Sequence, residues 1–504
     1  MQRIFFWWIA FWLCNSATLL AQDFGIYGLV GRGGVGTTFA TDYQSININP
    51  ANLGVRESFR DPRFTIGLLE GNLQISSESL TRNDILQSLF NPDQVQFSLA
   101  EKRQAAQKLT DNALALDANV IVFGAAFSDP VFGGLAFSIQ DNIQLLARLN
   151  QTTSEILFLG DNAPYFPFLI LNNGLIIPNN ETVTDQQREQ VIEGTFQDTT
   201  QASTYGQILD GSTFSANWYR EYAIAYGRKW LNTYGLQIYA GATLKIIRGI
   251  TIIDLAAQNG VLTRETISLS PSFEVDFDAV DTPTAKGFAD ASTFLNRALF
   301  PESVGQGFGF NAGVHAVIKQ NLHIGVALNN VGSVNWNGNV YRLNDGILAS
   351  FQGSGYNNYH FPQVSPDAFQ FAGSASPLDW QGSNEVRISL PTQIRAGISY
   401  NFFKTAHVGV DVVLPQNDAP GNLLEPFYAI GVDYRLTRTI TLSTGFNRGG
   451  NKGSVFNLPF AITYQHPRGI YEVGIATRDL NTYITDIGEG AVLSMAVGFF
   501  RVKL

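Results

Sequence analysis

The chain has 504 residues, with 32 Lys and Arg against 42 Asp and Glu. Charged residues make up only 15% of it, where soluble domains average about a quarter. The net charge of −10 argues against a nucleic-acid groove. Beyond residue 21 no stretch approaches the roughly 18 consecutive apolar residues of a membrane-spanning helix, although glycine (48 residues) and aromatics (12%) are abundant.

The first residues address the compartment. Arg3 is the only charge before Asp23, Ile4 to Leu13 form an apolar run, and small residues lead to Ala21-Gln22. That is the layout of a secretory signal peptide over residues 1–21, with a run too short to cross a bilayer as a helix. Cys14 is the only cysteine, and Leu13 stands where a lipoprotein signal wants a small residue. Cleavage after Ala21 leaves no thiol, which excludes disulfides and cysteine chemistry.

Next comes a glycine-rich segment, Gly31-Arg-Gly33-Gly34-Val-Gly36, leading to Asp42 and then to Asn49-Pro50-Ala51. Gly31, Gly33 and Gly36 satisfy the dinucleotide fingerprint formally, but no βαβ unit follows, so no cofactor is expected. Pro50 fixes its own φ and biases Asn49 toward an extended shape, predicting a rigid bend.

From about residue 63 the dominant period is two. Leu236, Ile238, Ala240, Ala242, Leu244 and Ile246 share one face, while Gln237, Tyr239, Gly241, Thr243 and Lys245 share the other. Residues 387–401 repeat the arrangement, with Arg387, Gln393, Arg395 and Gly397 on the polar side. Each such segment has one apolar and one polar wall. Candidate strands fall at 62–76, 115–128, 130–147, 214–229, 234–252, 262–277, 306–318 and 321–332. Others fall at 339–351, 385–401, 404–414, 425–436, 438–447, 455–466, 468–478 and 490–503. Strands of about ten residues, joined alternately by short turns and by long polar stretches at 148–213, 278–303 and 352–384, predict an all-β, antiparallel transmembrane β-barrel. Sixteen candidates reduce to fourteen if two belong to loops. Helices are expected over 99–116, 185–196 and 284–299.

Conventional catalytic signatures are missing. No G-x-S-x-G occurs, the carboxylates form no recognisable acid/base pair, and His315, His323, His360, His407 and His466 are scattered singly, without metal-ligand spacing. Neither an enzyme nor a metal site is expected. By the alternation, Lys245, Arg387, Arg395, Asp411, Asp433 and Arg435 face the lumen, pairing with each other or holding a plug.

The run Asp42-Tyr-Gln-Ser45-Ile-Asn-Ile-Asn49-Pro50-Ala51-Asn52-Leu53 resembles the N-terminal hatch of the long-chain fatty acid transporter family (FadL/TodX-like), with Asn52 where that family has Gly. Leu390-Pro391-Thr-Gln-Ile-Arg395-Ala-Gly397-Ile-Ser-Tyr400 is similar to one of its barrel strands. The same segment resembles the family's Bacteroidetes relatives, an uncharacterised group and a secretion-system barrel. The resemblance implies a hatch over residues 22–61 inside a barrel over 62–504. Gly31, Gly33, Gly34, Gly36, Asp42, Asn49, Pro50 and Ala51 would be its gating residues. It further implies an outer-membrane location in contact with lipid and passive passage of small hydrophobic molecules. The alternative it leaves open is a non-transporting barrel that serves a surface or secretion assembly as partner subunit. A water-filled porin would have a lumen richer in charge.

Overall fold

The structure, a computed structural model, describes residues 26–55, 63–90, 96–273, 300–359, 378–402, 405–450, 457–484 and 490–504. The expected signal peptide, the helix expected over 284–299 and His360 lie outside the described residues.

Among the described residues, fourteen antiparallel strands close a barrel. They are β1 (Phe64–Ser77), β2 (Leu114–Asp129), β3 (Gly133–Arg148), β4 (Thr213–Thr233), β5 (Leu236–Gln258), β6 (Gly305–Ile318) and β7 (Leu322–Trp336). The circuit continues with β8 (Gln393–Phe402), β9 (Ala406–Pro415), β10 (Phe427–Arg435), β11 (Ile440–Gly449), β12 (Phe460–Gln465), β13 (Tyr471–Thr477) and β14 (Val492–Lys503). Sequential neighbours pair throughout, and β1 closes the circuit on β14 through Thr65↔Lys503 to Ser76↔Val492. The terminal aromatic-rich segment is therefore a wall strand. Every backbone N–H and C=O of a closed wall finds a partner without a free edge, which is the condition for crossing lipid with strands.

The wall is inverted relative to a soluble sheet. On β5, Leu244 and Ile246 are 62% and 50% exposed, while Lys245 between them is 2% exposed and points inward. The period of two thus places apolar side chains outside and polar ones in the lumen. Short turns join β2 to β3, β4 to β5 and β6 to β7 at one end, where β1 begins and β14 finishes. Long connections lie at the other.

Two candidate strands leave the wall, which accounts for fourteen rather than sixteen. The 262–277 segment overlaps Val261–Leu269, which pairs with the distal half of β5 after that strand has parted from β6. The 339–351 segment contains Val340–Leu343, which joins Val261–Leu269 and Trp380–Gly382 in a ribbon beyond the wall. Period two reports a strand, not the layer it joins. Two helix expectations need correction. The first helix is Leu99–Leu109, started by a Ser98/Glu101 capping box, and the chain is already strand β2 by Leu114. The second is a single turn, Asp185–Arg188, followed by a strand at Val191–Thr195. The latter strand pairs with Phe168–Leu171 and Ser350–Phe351, so 148–213 forms a folded cap around Phe166, Tyr205, Ile267, Tyr341 and Trp380.

Candidate functional site

Residues 26–55 run through the lumen, nearly all of them buried. A strand wall normally fills its interior with side chains, so threading backbone through it requires removing them. Glycine does that. Every wall strand except β12 turns a glycine toward this segment, at a position where an added Cβ would meet it within van der Waals contact or collide with a neighbour displaced by it. Gly67 and Gly124 lie against Tyr43; Gly134, Gly227 and Gly241 lie against Pro50 to Leu53. Gly313 and Gly325 receive Asn49, Gly397 receives Thr37, and Gly409 receives Phe39. Gly431 and Gly445 receive Arg32, and Gly474 and Gly498 flank Tyr27. On β12 the arrangement is reversed, since Ala461 packs on Gly31 and a Cβ there would fall 2.2 Å from it. Many of these glycines are direct cross-strand partners, as in the run Gly134↔Gly227↔Gly241↔Gly313. They form a belt around the lumen.

Polar anchors hold the segment to this belt. The Asp411 carboxylate accepts from the Gly36 and Thr37 backbone N–H groups at 2.9 and 2.8 Å and from the Thr37 hydroxyl at 2.6 Å. Arg395 donates to Asp411 at 3.3 Å and to the Gly34 carbonyl at 2.8 Å, tying wall and segment into one network. Gly33 and Gly34 have φ of +66° and +100°, a backbone reversal that favours glycine and aims those N–H groups at one oxygen. Arg32 donates to Asp433 at 2.9 Å and lies over the Phe39 ring at 4.7 Å.

On the opposite wall Arg501 bridges Asp42 of the segment and Glu472 of β13. Tyr27 donates to Glu472 and Tyr43 to Glu70. Burial pushes both tyrosine hydroxyls well above their ordinary range, so they remain protonated donors. Further round, Asn47 donates to Glu221 at 3.0 Å, and Lys245 pairs with the same carboxylate at 3.0 Å. Asn49 has the expected extended backbone, with φ −154° and ψ 100°. Its side chain caps the 3-10 turn Pro50–Gly54 by accepting from the Ala51 N–H, and it donates to the Val314 carbonyl of β6 at 3.2 Å.

Of the expected lumen residues, Lys245, Arg395, Asp411 and Asp433 converge on the segment or its supports. Arg435 has the same inward parity but is exposed at the short-turn rim, where the wall has run past the segment. Arg387 is a correction: it lies on the outer face and donates to Ser333 at 2.8 Å. The strand is interrupted at 390–392, where Pro391 has no N–H to offer the ladder. Val386 and Ile388 pack inward before the break, and Gln393 and Arg395 face inward after it. An odd number of residues in the break swaps the two faces.

The histidines are a second correction. His315 and His323, on adjacent strands, share a ring-nitrogen hydrogen bond of 3.0 Å, and His407 lies 5.8 Å from His323 between ring centroids. His315 Nδ1 meets the Asn52 side chain at 2.6 Å, and His407 stacks on Phe39 at 3.7 Å. This chain of imidazoles underlies the segment near the short-turn end. Among the described residues no group of three His, Cys, Asp or Glu side chains is arranged to hold a metal.

The fold and its interior define a class: a closed fourteen-strand β-barrel whose lumen is filled by its own N-terminal segment. The chain belongs to a family of unknown function, DUF5723, whose model matches residues 189–465, more than half its length. A comparison with curated proteins finds no match. Among solved structures, the Pseudomonas putida toluene transporter TodX is similar over 97% of this chain and 100% of its own, at 11% identity and a TM-score of 0.42. The Ralstonia pickettii toluene transporter TbuX is similar over 95% and 98%, at 12% identity and a TM-score of 0.40. A Pseudomonas aeruginosa FadL homologue is similar over 96% and 98%, at 10% identity and a TM-score of 0.40. The barrel assignment rests on this chain's own closed ladder.

Proposed function

We propose that this protein is an outer-membrane barrel that passes small hydrophobic molecules when its N-terminal segment shifts. One observation carries the reading: residues 26–55 occupy the lumen, held to the wall by hydrogen bonds and ion pairs beside a buried apolar cluster of Ile26, Leu29, Tyr43, Ile46, Ile48 and Leu53 with wall alanines. Water can replace the polar partners at a modest net cost per bond, and the wall side of the apolar cluster is mostly alanine, so a shift of the segment gives up little area per wall residue. Gly31, Gly33, Gly34, Gly36, Asp42, Asn49, Pro50 and Ala51 then act as the gate, and Arg395, Asp411, Asp433 and Lys245 as its latch. Short turns face the periplasm in such barrels, which puts the cap outside the cell.

The test is a reversible lock. The Thr38 and Ser399 hydroxyl oxygens are 2.7 Å apart, and the chain's only cysteine is Cys14. The double variant Thr38→Cys/Ser399→Cys places two thiols at bonding range across segment and wall. In proteoliposomes, entry of the fluorophore N-phenyl-1-naphthylamine should stop on oxidation and return on reduction. Equal entry in both states rejects the gate. A second reading, a barrel that docks a partner, is favoured by exposed Leu175, Ile176 and Ile192 on the cap sheet.

A further inference from the structure

The outer face of the wall carries a polar row that the lumen does not use. Cross-strand register aligns Asp141, Arg220, Arg248, Gln306, Asn335 and Arg387 on six successive segments. Below it, toward the short turns, the same strands show lipid apolar side chains: Ile224 under Arg220, Leu244 and Ile246 under Arg248, Phe308 under Gln306. The row therefore marks the border of the apolar band on the long-loop side. Charged side chains at such a border meet lipid headgroups.

Within the row one place is concave. A cavity of about 240 Å³ opens between Arg220, Tyr222 and Arg248, with Ile250, Phe300, Pro301 and Ser303 completing it. Arg220 is oriented by Asp141, which accepts from Nε at 2.8 Å and from Nη2 at 2.7 Å. Arg248 makes one side-chain contact among the described residues, a 3.4 Å hydrogen bond to Gln306, and no carboxylate neutralises it there. The charge the cavity offers is thus the Arg248 guanidinium, with Arg220 held in place beside it. Guanidinium forks match phosphate oxygens better than any other common side chain. The flanking apolar residues would have no role toward a free anion, whereas acyl chains descending from the cavity would cover Leu244, Ile246 and Phe308.

From this juxtaposition we infer that the Arg220–Arg248 cavity binds the phosphate of a lipid headgroup in the leaflet on the long-loop side. The experiment uses full-length protein purified in dodecyl maltoside, delipidated, and titrated by native mass spectrometry with lipid A, phosphatidylglycerol or inorganic phosphate. Arg248→Gln and Arg248→Glu are compared with the unsubstituted chain, and heat-modifiable migration verifies that each barrel is closed. The expected result is one phosphorylated lipid retained by the unsubstituted protein and a loss of roughly tenfold or more in Arg248→Glu, with Arg248→Gln between. Equal retention in Arg248→Glu overturns the site. Displacement of bound lipid by millimolar inorganic phosphate overturns the lipid assignment, because the acyl chains would then contribute nothing.

Discussion

The N-terminal segment and the cap over the long-loop end are both buried, each on an apolar cluster. Among the described residues only the segment adds a dense set of ion pairs and charged hydrogen bonds to the wall. The segment sits on glycines and is tied by carboxylates, guanidinium groups and backbone N–H donors. The cap is tied by aromatic packing: Tyr165 meets Phe166 edge-on at 4.9 Å and Phe196 at 5.2 Å, around Trp380 and Tyr341. Opening the cap exposes apolar area at about 25 cal/mol per Å². Opening the seat exposes apolar area as well and in addition exchanges protein hydrogen bonds for water, at about 1 kcal/mol net for an ordinary one. The polar ties to the wall are thus the feature by which the segment differs from the cap, and the proposed gate requires that they be the first to yield.

The largest effect expected from breaking this contrast is at the belt. Gly313→Leu drives a side chain into the Asn49 Oδ1 position, 2.1 Å from where a Cβ alone would sit. The segment should be unseated completely while the barrel stays closed. Arg32 is the only Lys or Arg within 26–55, so tryptic cleavage there reports the event. Continued protection of Arg32 in a heat-modifiable Gly313→Leu barrel rejects the belt as a seat. Next comes Asp411→Ala, which leaves Arg395 and two backbone donors without their shared acceptor. Removing one partner of a buried pair costs about 3–5 kcal/mol, to be read as faster hydrogen exchange at 34–38. A smaller effect, about 3 kcal/mol, is expected of Phe166→Ala, confined to the cap core. If that variant also exposes Arg32 to trypsin, cap and segment form one cooperative unit and the comparison fails.

How much of this was legible in the sequence follows the same division. Alternation marked the wall strands because lipid on one side and a polar lumen on the other impose a period of two at every step. It assigns Lys245, Arg395, Asp411 and Asp433 to the lumen, and the first three are buried beneath the segment. It failed at Arg387, because the break at Pro391 changes the parity of the strand without changing its look. The glycine belt was visible only as a high count, though Gly241 and Gly397 already stood on polar faces. One inward glycine in nearly every strand is a regularity that a search by strand would find. His315 and His323 meet across a single hairpin, which its short turn made findable, whereas their approach to His407 depends on the pairing of strands farther apart in sequence. Distance in sequence likewise hid Arg501, which is held by Glu472 and clasps Asp42 across more than 400 positions.

The subtlest expected effect lies in the cap and is a matter of protons. Asp161, 4% exposed, sits at the end of the helix Gln151–Leu159 in a region outside the wall. Burial pushes its carboxyl up to about 6, against the lowering by a hydrogen bond from Asn162 and by the Lys102 charge. The raised folded-state value means that the folded cap holds the proton more tightly than the unfolded chain does. Its stabilising contribution is complete below about pH 4 and is lost as the pH rises through 6. The cap should therefore loosen by on the order of 1–2 kcal/mol between pH 4 and pH 7, seen as faster exchange of the 153–166 amides after correction for intrinsic rates. Asp161→Asn keeps the hydrogen-bonding oxygen and removes the charge, so its exchange should not depend on pH over that range. An identical pH slope in the variant would assign the effect to another group. An unchanged rate at Arg32 across the same range keeps cap and segment separate, each answering to its own chemistry.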